Sequence, residues 1–395
     1  MILLCWRCQM ANGLEKEYYK LSEEEFSQLL ENLRTNPLSI HFFGNTDTPY
    51  FFLPDDQTSE LFLRLHRDRL EFDAVFSGFT EFGRKQLIQS FLIEEIESTN
   101  RIENIHSTKH DIFELIQSQM NSGDKKLRSI VNGYLILLRD HTDPPSELRG
   151  LRELYDALLK GTIQKEDRPD GKYFRKKQVY ISDGLKPVHR GFWPEQAVNE
   201  GMLEFLEYLN NPGRDLFERL ILSHFLFETV HPFYDGNGRL GRFLFTLKYF
   251  GETGSYLAFA VSTAFNHRKS AYYKALDEAR HEHMYGSLNT YAEDIGAILH
   301  TYNKELISRL KEKKAQIESV GFPGKDFTRS EKEILRLLAE SSLLSDFGIS
   351  NSEIMAYTGI SKRTVISSMQ KFRRMDLLEE NKFSKTVYHK LRSKK

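Results

Sequence analysis

The residues of this chain best equipped to do chemistry together fall in one run, HPFYDGNGRLGR, from His231 to Arg242. Gly236, Asn237 and Gly238 stand directly before FLFTLKYF, which is apolar at helical spacing. Two glycines let successive backbone N–H groups point the same way, making an anion nest at the start of a helix. Arg239 on the first turn and Arg242 three residues on share a face, from which both reach phosphate oxygens. Asp235, just ahead of the nest, is placed to hold a Mg²⁺ bridging two phosphates. His231 adds an imidazole that accepts a proton near neutral pH. Phe233, between them, reads as an apolar anchor. A base, a metal ligand, a phosphate cradle and two cations in this order describe a phosphoryl- or nucleotidyl-transfer site.

The elements that must position these groups are mostly helices. Ser22 with Glu25 is a capping-box pattern ahead of Leu29, Leu30 and Leu33. The segment TNPLSIHFFGNTDTPYFFLPDD carries loop signals, and helical periodicity returns over about 59–72, 83–105 and 126–138. A helix near 147–159 leads to KQVYI, a short β-type run, and helices follow at about 195–210, 213–230 and 239–250 and onward to about 318. The expected fold is all-α with one hairpin-like excursion. GFPGK reads as a linker. Beyond it, Thr328 with Glu331 and Ser350 with Glu353 are capping boxes, Gly359 marks a turn, Ser361 caps a helix, and NKFSKTVYHKL reads as a β-ribbon. That order is the winged helix-turn-helix pattern. The expected domains are 1–140, 141–320 and 321–395.

Composition sets outer limits. The chain has 395 residues, 40% of them hydrophobic and 28% charged, and 55 Lys and Arg nearly balance 56 Asp and Glu. The resulting net charge of -1 excludes a globally polyanionic or polycationic carrier. No apolar run is long enough to span a bilayer as a helix, so no membrane partner is expected. Cys5 and Cys8 form a C-x-x-C pair, either a redox couple, half of a zinc site, or part of a plain extension ahead of Met10. Without a disulfide framework or an export signal, the expected compartment is the cytoplasm.

The run 231–242 resembles the Fic family, whose motif is H-x-F-x-(D/E)-G-N-G-R-x-x-R, and every fixed position is met. The resemblance implies a protein adenylyltransferase with a Fic helical core, an N-terminal helical region and a β-hairpin flap. Such an enzyme moves AMP from ATP to a Ser, Thr or Tyr hydroxyl of a target protein. It implies His231 as general base and Asp235 as Mg²⁺ ligand. Gly236, Asn237 and Gly238 then surround the α- and β-phosphates, with Arg239 on the β- and Arg242 on the γ-phosphate. Doc-type kinases carry Lys where Gly238 stands here, so Gly238 favours adenylyl transfer. Upstream, Thr99-Asn-Arg-Ile-Glu103-Asn104 is similar to the family's inhibitory motif (S/T)-x-x-x-E-(G/N), within a helix near 90–105. The implied switch pairs Glu103 with Arg242, for which the γ-phosphate must compete. The same glutamate can serve removal of AMP. Read without the family, Glu103 is a glutamate on a polar helix face.

The run YFRKKQVYI sits where the family has its target-docking flap, which makes Lys177, Gln178, Val179 and Tyr180 candidate docking residues by strand addition, against a plain surface hairpin. AYYKALDEAR is similar to the family's adenine-side helix, so Tyr273 and Leu276 are candidate pocket walls, although core residues share that spacing. Residues 361–395 hold eleven Lys or Arg against three Asp or Glu. Lys362, Arg363, Thr364, Ser367 and Lys371 are candidate DNA contacts, or the module binds protein or dimerises. Self-modification and homodimerisation also follow from the resemblance. Two other classes stay open: a DNA-binding regulator with an ATP-sensing site, and a metal-dependent phosphohydrolase using His224, His231 and Asp235.

Overall fold

Helix starts are set by side-chain caps where the sequence supplies them. Ser22, Thr328 and Ser350 each accept the N–H of the glutamate three residues on, and that glutamate returns the bond, closing three capping boxes. Thr108 and Asp111 form a fourth reciprocal cap, ahead of a helix at Lys109–Gln117 that the sequence reading lacks. The computed structural model describes residues 14–44, 49–117, 125–182, 187–320, 327–383 and 386–392. Cys5, Cys8 and the GFPGK segment lie outside the described residues.

The first elements are α1 (Leu14–Tyr18), α2 (Glu23–Arg34), β1 (Ile40–Phe42), β2 (Tyr50–Phe52), α3 (Asp56–Ser77) and α4 (Glu81–Ile102). They are followed by α5 (Lys109–Gln117), α6 (Lys125–Asp140), α7 (Leu148–Leu158), β3 (Tyr180–Ser182) and β4 (Pro187–Arg190). The helices α8 (Glu195–Leu209), α9 (Leu216–Val230), α10 (Asn237–Thr253), α11 (Val261–His267), α12 (Lys269–Ala279) and α13 (Asn289–Ser319) come next. The chain continues with α14 (Arg329–Leu344), β5 (Ile349–Ser350), α15 (Asn351–Thr358), α16 (Lys362–Arg374), β6 (Leu378–Phe383) and β7 (Thr386–Leu391). The fold is mostly helical with small antiparallel sheets, β1–β2, β3–β4 and β5–β7–β6. One expectation changes: TNPLSIHFFGNTDTPYFFLPDD is more than a loop. Ile40, His41 and Phe42 pair with Phe52, Phe51 and Tyr50, and burial of the whole of β2 outweighs the surrounding turn residues.

The chain divides into two units. One comprises residues 1–69, 95–107 and 124–303, the other 70–94, 108–123 and 304–395. In the first, α9 (LFERLILSHFLFETV) is buried along its whole length, its polar Glu218, Arg219 and His224 each held by a side-chain partner. Asp215 starts α9 by accepting the N–H groups of Phe217 and Glu218. α10 is buried over nearly its full length as well. In the second unit, Phe82, Ile334, Leu338, Ile354, Val365, Met369 and Phe372 form a separate core. Phe113 stacks on Phe347 there, with ring centroids 4.0 Å apart.

Candidate active site

The site is the turn between α9 and α10. His231 ends α9 in the left-handed region (φ 53°, ψ 63°), its N–H donating to the Phe227 carbonyl at 3.0 Å. A non-glycine residue pays conformational energy there, so the turn needs support. Arg175 supplies it. Its fully buried guanidinium donates to the carbonyls of His231 (2.9 Å), Phe192 (2.8 Å), Lys177 (2.8 Å) and Val230 (3.2 Å). Burial lowers the Arg175 pKa to about 10, which still leaves the group charged at neutral pH. Phe233 is buried and stacks on Tyr155 with ring centroids 3.7 Å apart. The Tyr155 hydroxyl donates to the Asp235 carbonyl at 3.0 Å.

Asn237 closes the loop on itself. Its side-chain oxygen accepts the Phe233 N–H (2.9 Å), and its amide nitrogen donates to the Phe233 carbonyl (2.8 Å). Gly236 caps α10 at φ 85°, a conformation that favours glycine, and a Cβ there would overlap Leu159. A Cβ on Gly238 would overlap the Glu103 carboxylate and come within 2.9 Å of Arg242 Nη1. The Glu103 carboxylate therefore lies against Gly238, while the Gly236 N–H donates to Asp235 Oδ1 at 2.6 Å.

Arg239 and Arg242 share one face of α10 but have different partners. Arg242, with a side chain 1% exposed, donates from Nη2 to Glu103 Oε1 at 2.8 Å and to the Thr99 carbonyl at 3.1 Å. Its Nε donates to the Thr99 hydroxyl at 3.0 Å. Burial works against the charge on Arg242, but the Glu103 carboxylate outweighs it and holds the guanidinium above its ordinary pKa. Thr99 thus grips the same cation as Glu103. Arg239, with a side chain 3% exposed, lies 3.3 Å from Asp235 Oδ2 and donates to the Thr162 hydroxyl at 3.2 Å. Its Nε has no hydrogen-bond partner among the described residues. Asp235 keeps about half of its side chain exposed (49%). A cavity of about 380 Å³ lined by Asn100, Ile105, His106, Thr162, Asp235 and Arg239 opens beside the nest.

The helix carrying Glu103 ends by a defined mechanism. Asn104 is left-handed (φ 55°), its N–H donates to the Arg101 carbonyl (3.1 Å), and the Ile105 N–H donates to the Asn100 carbonyl (2.9 Å). This paired closure is the Schellman motif, and Gly or Asn is the residue it favours at the left-handed position. Asn104 is thereby a helix stop. Lys269 Nζ adds a bond to Asn104 Oδ1 at 3.1 Å.

The other candidates fall as follows. The Lys177 N–H donates to the Tyr234 hydroxyl (2.9 Å), and the Gln178 amide donates to the Gly191 carbonyl (2.6 Å) while its oxygen accepts from Arg190 (2.9 Å). Val179 is half-buried and accepts the Gly191 N–H; Tyr180, paired with Arg190 in the hairpin, is exposed. The Tyr273 hydroxyl donates to the Ile102 carbonyl at 3.3 Å, next to the end of α4, whereas Leu276 is buried. His224 is buried and hydrogen-bonded to the Tyr272 hydroxyl at 2.8 Å, and burial lowers its pKa to about 3. Among the described residues no three His, Cys, Asp or Glu side chains group as a metal site. Arg175 escaped the sequence reading because its partners are backbone carbonyls as far as 56 positions away, which no spacing rule shows.

Residues 145–248 match the family model described as Fic/DOC family. No curated protein matches the chain. A Fic family protein from Desulfovibrio desulfuricans G20 is similar in structure, at 20% identity over 84% of this chain and 97% of that one, with a TM-score of 0.51. A fragment of Fic-1 from C. elegans is similar at 20% identity, over 65% of this chain and 73% of that one, with a TM-score of 0.47. A Fic domain containing signaling protein from Bacteroides thetaiotaomicron is similar at 16% identity, over 68% of this chain and 100% of that one, with a TM-score of 0.45. Residues 145–248 are thus similar to the Fic/DOC family, and the fold is similar to that of the Desulfovibrio protein.

Proposed function

We propose that this chain transfers AMP from ATP to a hydroxyl of a target protein and is held inactive by Glu103. The observation that carries the reading is the ion pair of Glu103 with the buried Arg242, laid against Gly238. ATP entering there has to displace it. A charge-assisted contact to Arg242 that is already satisfied costs the incoming phosphate on the order of 1.5–3 kcal/mol.

In this reading the core spans 141–320. The nest N–H groups of Gly236 to Gly238 and the side chains of Arg239 and Arg242 hold the triphosphate, and Asn237 fixes the loop that presents them. His231 takes the proton of the target hydroxyl as its oxygen bonds to the α-phosphorus and the bond to the pyrophosphate oxygen breaks. The protein contributes chiefly position and charge compensation. The half-exposed Asp235 carboxylate and the partnerless Arg239 Nε fit a Mg²⁺–phosphate unit, because Mg²⁺ is commonly held by one or two carboxylates plus phosphate oxygens. When bound, Mg²⁺ supplies neutralisation of phosphate charge. Tyr273 and Leu276 flank the adenine side once α4 yields. Lys177 to Tyr180 form the edge on which the target segment docks. The same Glu103 serves removal of AMP.

Glu103→Gly protein given α-labelled ATP and Mg²⁺ is expected to label itself or an added partner at least tenfold more than the parent chain, and the double variant with His231→Ala is expected to show no label. Label persisting without His231 removes it as base. No label on any protein in the Glu103→Gly reaction removes adenylyl transfer. A second reading, a winged helix over 321–395 that binds DNA, is favoured by one observation: Lys362, Arg363 and Ser367 are exposed on α16.

A further inference from the structure

Glu228 stands three residues before His231 in α9 and is buried. Its Oε1 has no hydrogen-bond partner among the described residues, while Oε2 lies 4.0 Å from His231 Nδ1. A buried carboxylate left this way is costly, and burial pushes its carboxyl up to about 7. Arg242 from α10 and Arg280 at the end of α12 favour its charged form, while Glu103 opposes it. The Tyr272 and Tyr291 hydroxyls are also within electrostatic range. Gly241 keeps the space open: a Cβ there would come 2.8 Å from Glu228 Oε1 and 3.0 Å from Phe227 Cδ1. The roles assigned so far leave this carboxyl without a task, although it adjoins the assigned base.

We propose that Glu228 is a positioning residue for His231: its carboxylate, behind Nδ1, keeps the ring proton on Nδ1 and leaves the Nε2 lone pair for the target hydroxyl. The inference rests on the reading of His231 as base. The left-handed backbone of His231, clamped through its carbonyl by Arg175, turns the imidazole so that Nδ1 lies toward α9. The 4.0 Å separation exceeds a hydrogen bond, and such pairs in ligand-free sites tighten as the reacting complex forms. A carboxylate on one ring nitrogen fixes the tautomer and stabilises the imidazolium formed when the other nitrogen takes a proton.

The test uses the full chain in the Glu103→Gly background, with Glu228→Gln and Glu228→Asp added separately. Histidine is labelled with nitrogen-15, and the His231 signals are assigned by their loss in His231→Ala. With Glu228 present, the expected neutral form of His231 carries its proton on Nδ1. In Glu228→Gln the population moves toward the Nε2–H form and the titration midpoint falls by about 0.5–1 pH unit, because a nearby anion favours the imidazolium. Glu228→Asp, its carboxylate withdrawn by one methylene, is expected to fall between the two. In transfer, Glu228→Gln is expected to lower kcat about tenfold or more, with KM for ATP within about twofold of the parent. An unchanged tautomer and midpoint in the variants overturns the proposal; should one variant fail to fold, the other decides by the same nitrogen readout. If the parent shows no transfer at all, the adenylyltransferase reading fails, while the nitrogen-15 shifts still decide whether Glu228 positions His231.

Discussion

Single residues here do two kinds of work, and Glu95 shows how burial separates them. Glu95 is fully buried on α4, two turns before Glu103, and accepts the N–H groups of Ser262 (2.8 Å) and Thr263 (3.3 Å) at the start of α11 and the Thr246 hydroxyl (3.2 Å). It ties the end of α4, next to Glu103, to α10 and α11. Burial raises its pKa to about 7, against the lowering effect of those hydrogen bonds. The folded value lies above the unfolded one, so between them the folded state keeps a proton that the unfolded chain has lost. The stability contributed by this group is therefore full below about pH 4.5 and is lost as pH rises toward and through 7, at no more than about 1.4 kcal/mol per pH unit. Glu95→Gln removes the effect. Urea unfolding of both proteins at pH 5, 6, 7 and 8 should show the variant gaining on the parent with rising pH, and a difference that stays constant across the series contradicts the assignment.

At the scale of elements, the end of α4 decides whether Glu103 reaches Arg242, and Asn104 decides the end of α4. Asn104→Gly should keep the left-handed closure, and inhibition with it. Asn104→Val places a β-branched residue where it costs about 1–2 kcal/mol and loses the Lys269 contact. The expected result is a lower urea midpoint together with tighter ATP binding by calorimetry and more AMP transfer than the parent; a Val variant that binds ATP no better than the parent would separate helix termination from inhibition. The same elements show what the sequence made legible. Caps and local motifs were readable because their partners lie within four residues: Ser22, Thr328, Ser350 and the run 231–242. Glu103 was tied to Arg242 through family resemblance, since 139 positions separate them and nothing local links them. Gly241 was unreadable because its smallness matters only against α9, and β1–β2 because its aromatic residues needed a core to bury in. The α5 cap was overlooked although Thr108-x-x-Asp111 is a local signal.

At the scale of the molecule, charge is distributed unevenly. The net value of -1 conceals eleven Lys or Arg against three Asp or Glu in 361–395. Part of that charge is paired. Lys371 donates to Glu331 at 3.0 Å, Arg373 pairs with Glu380 at 2.7 Å, and Arg392 pairs with Asp376 at 2.6 Å. These pairs subtract Lys371 from the α16 contacts expected on sequence grounds and leave Lys362 and Arg363 as its exposed cations near the helix start. If α16 enters a groove of duplex DNA, a small number of phosphate contacts should carry the binding. The apparent affinity should then fall with salt at a slope of roughly -0.9 per phosphate neutralised. Replacing Lys362 and Arg363 together by Ala should flatten that slope by about two such units while leaving the urea midpoint unchanged, because both side chains are exposed. Fluorescence anisotropy with a labelled duplex between 50 and 200 mM salt reads both quantities. A slope identical in parent and double variant, or no duplex binding even at 50 mM salt, assigns 361–395 to a protein partner instead.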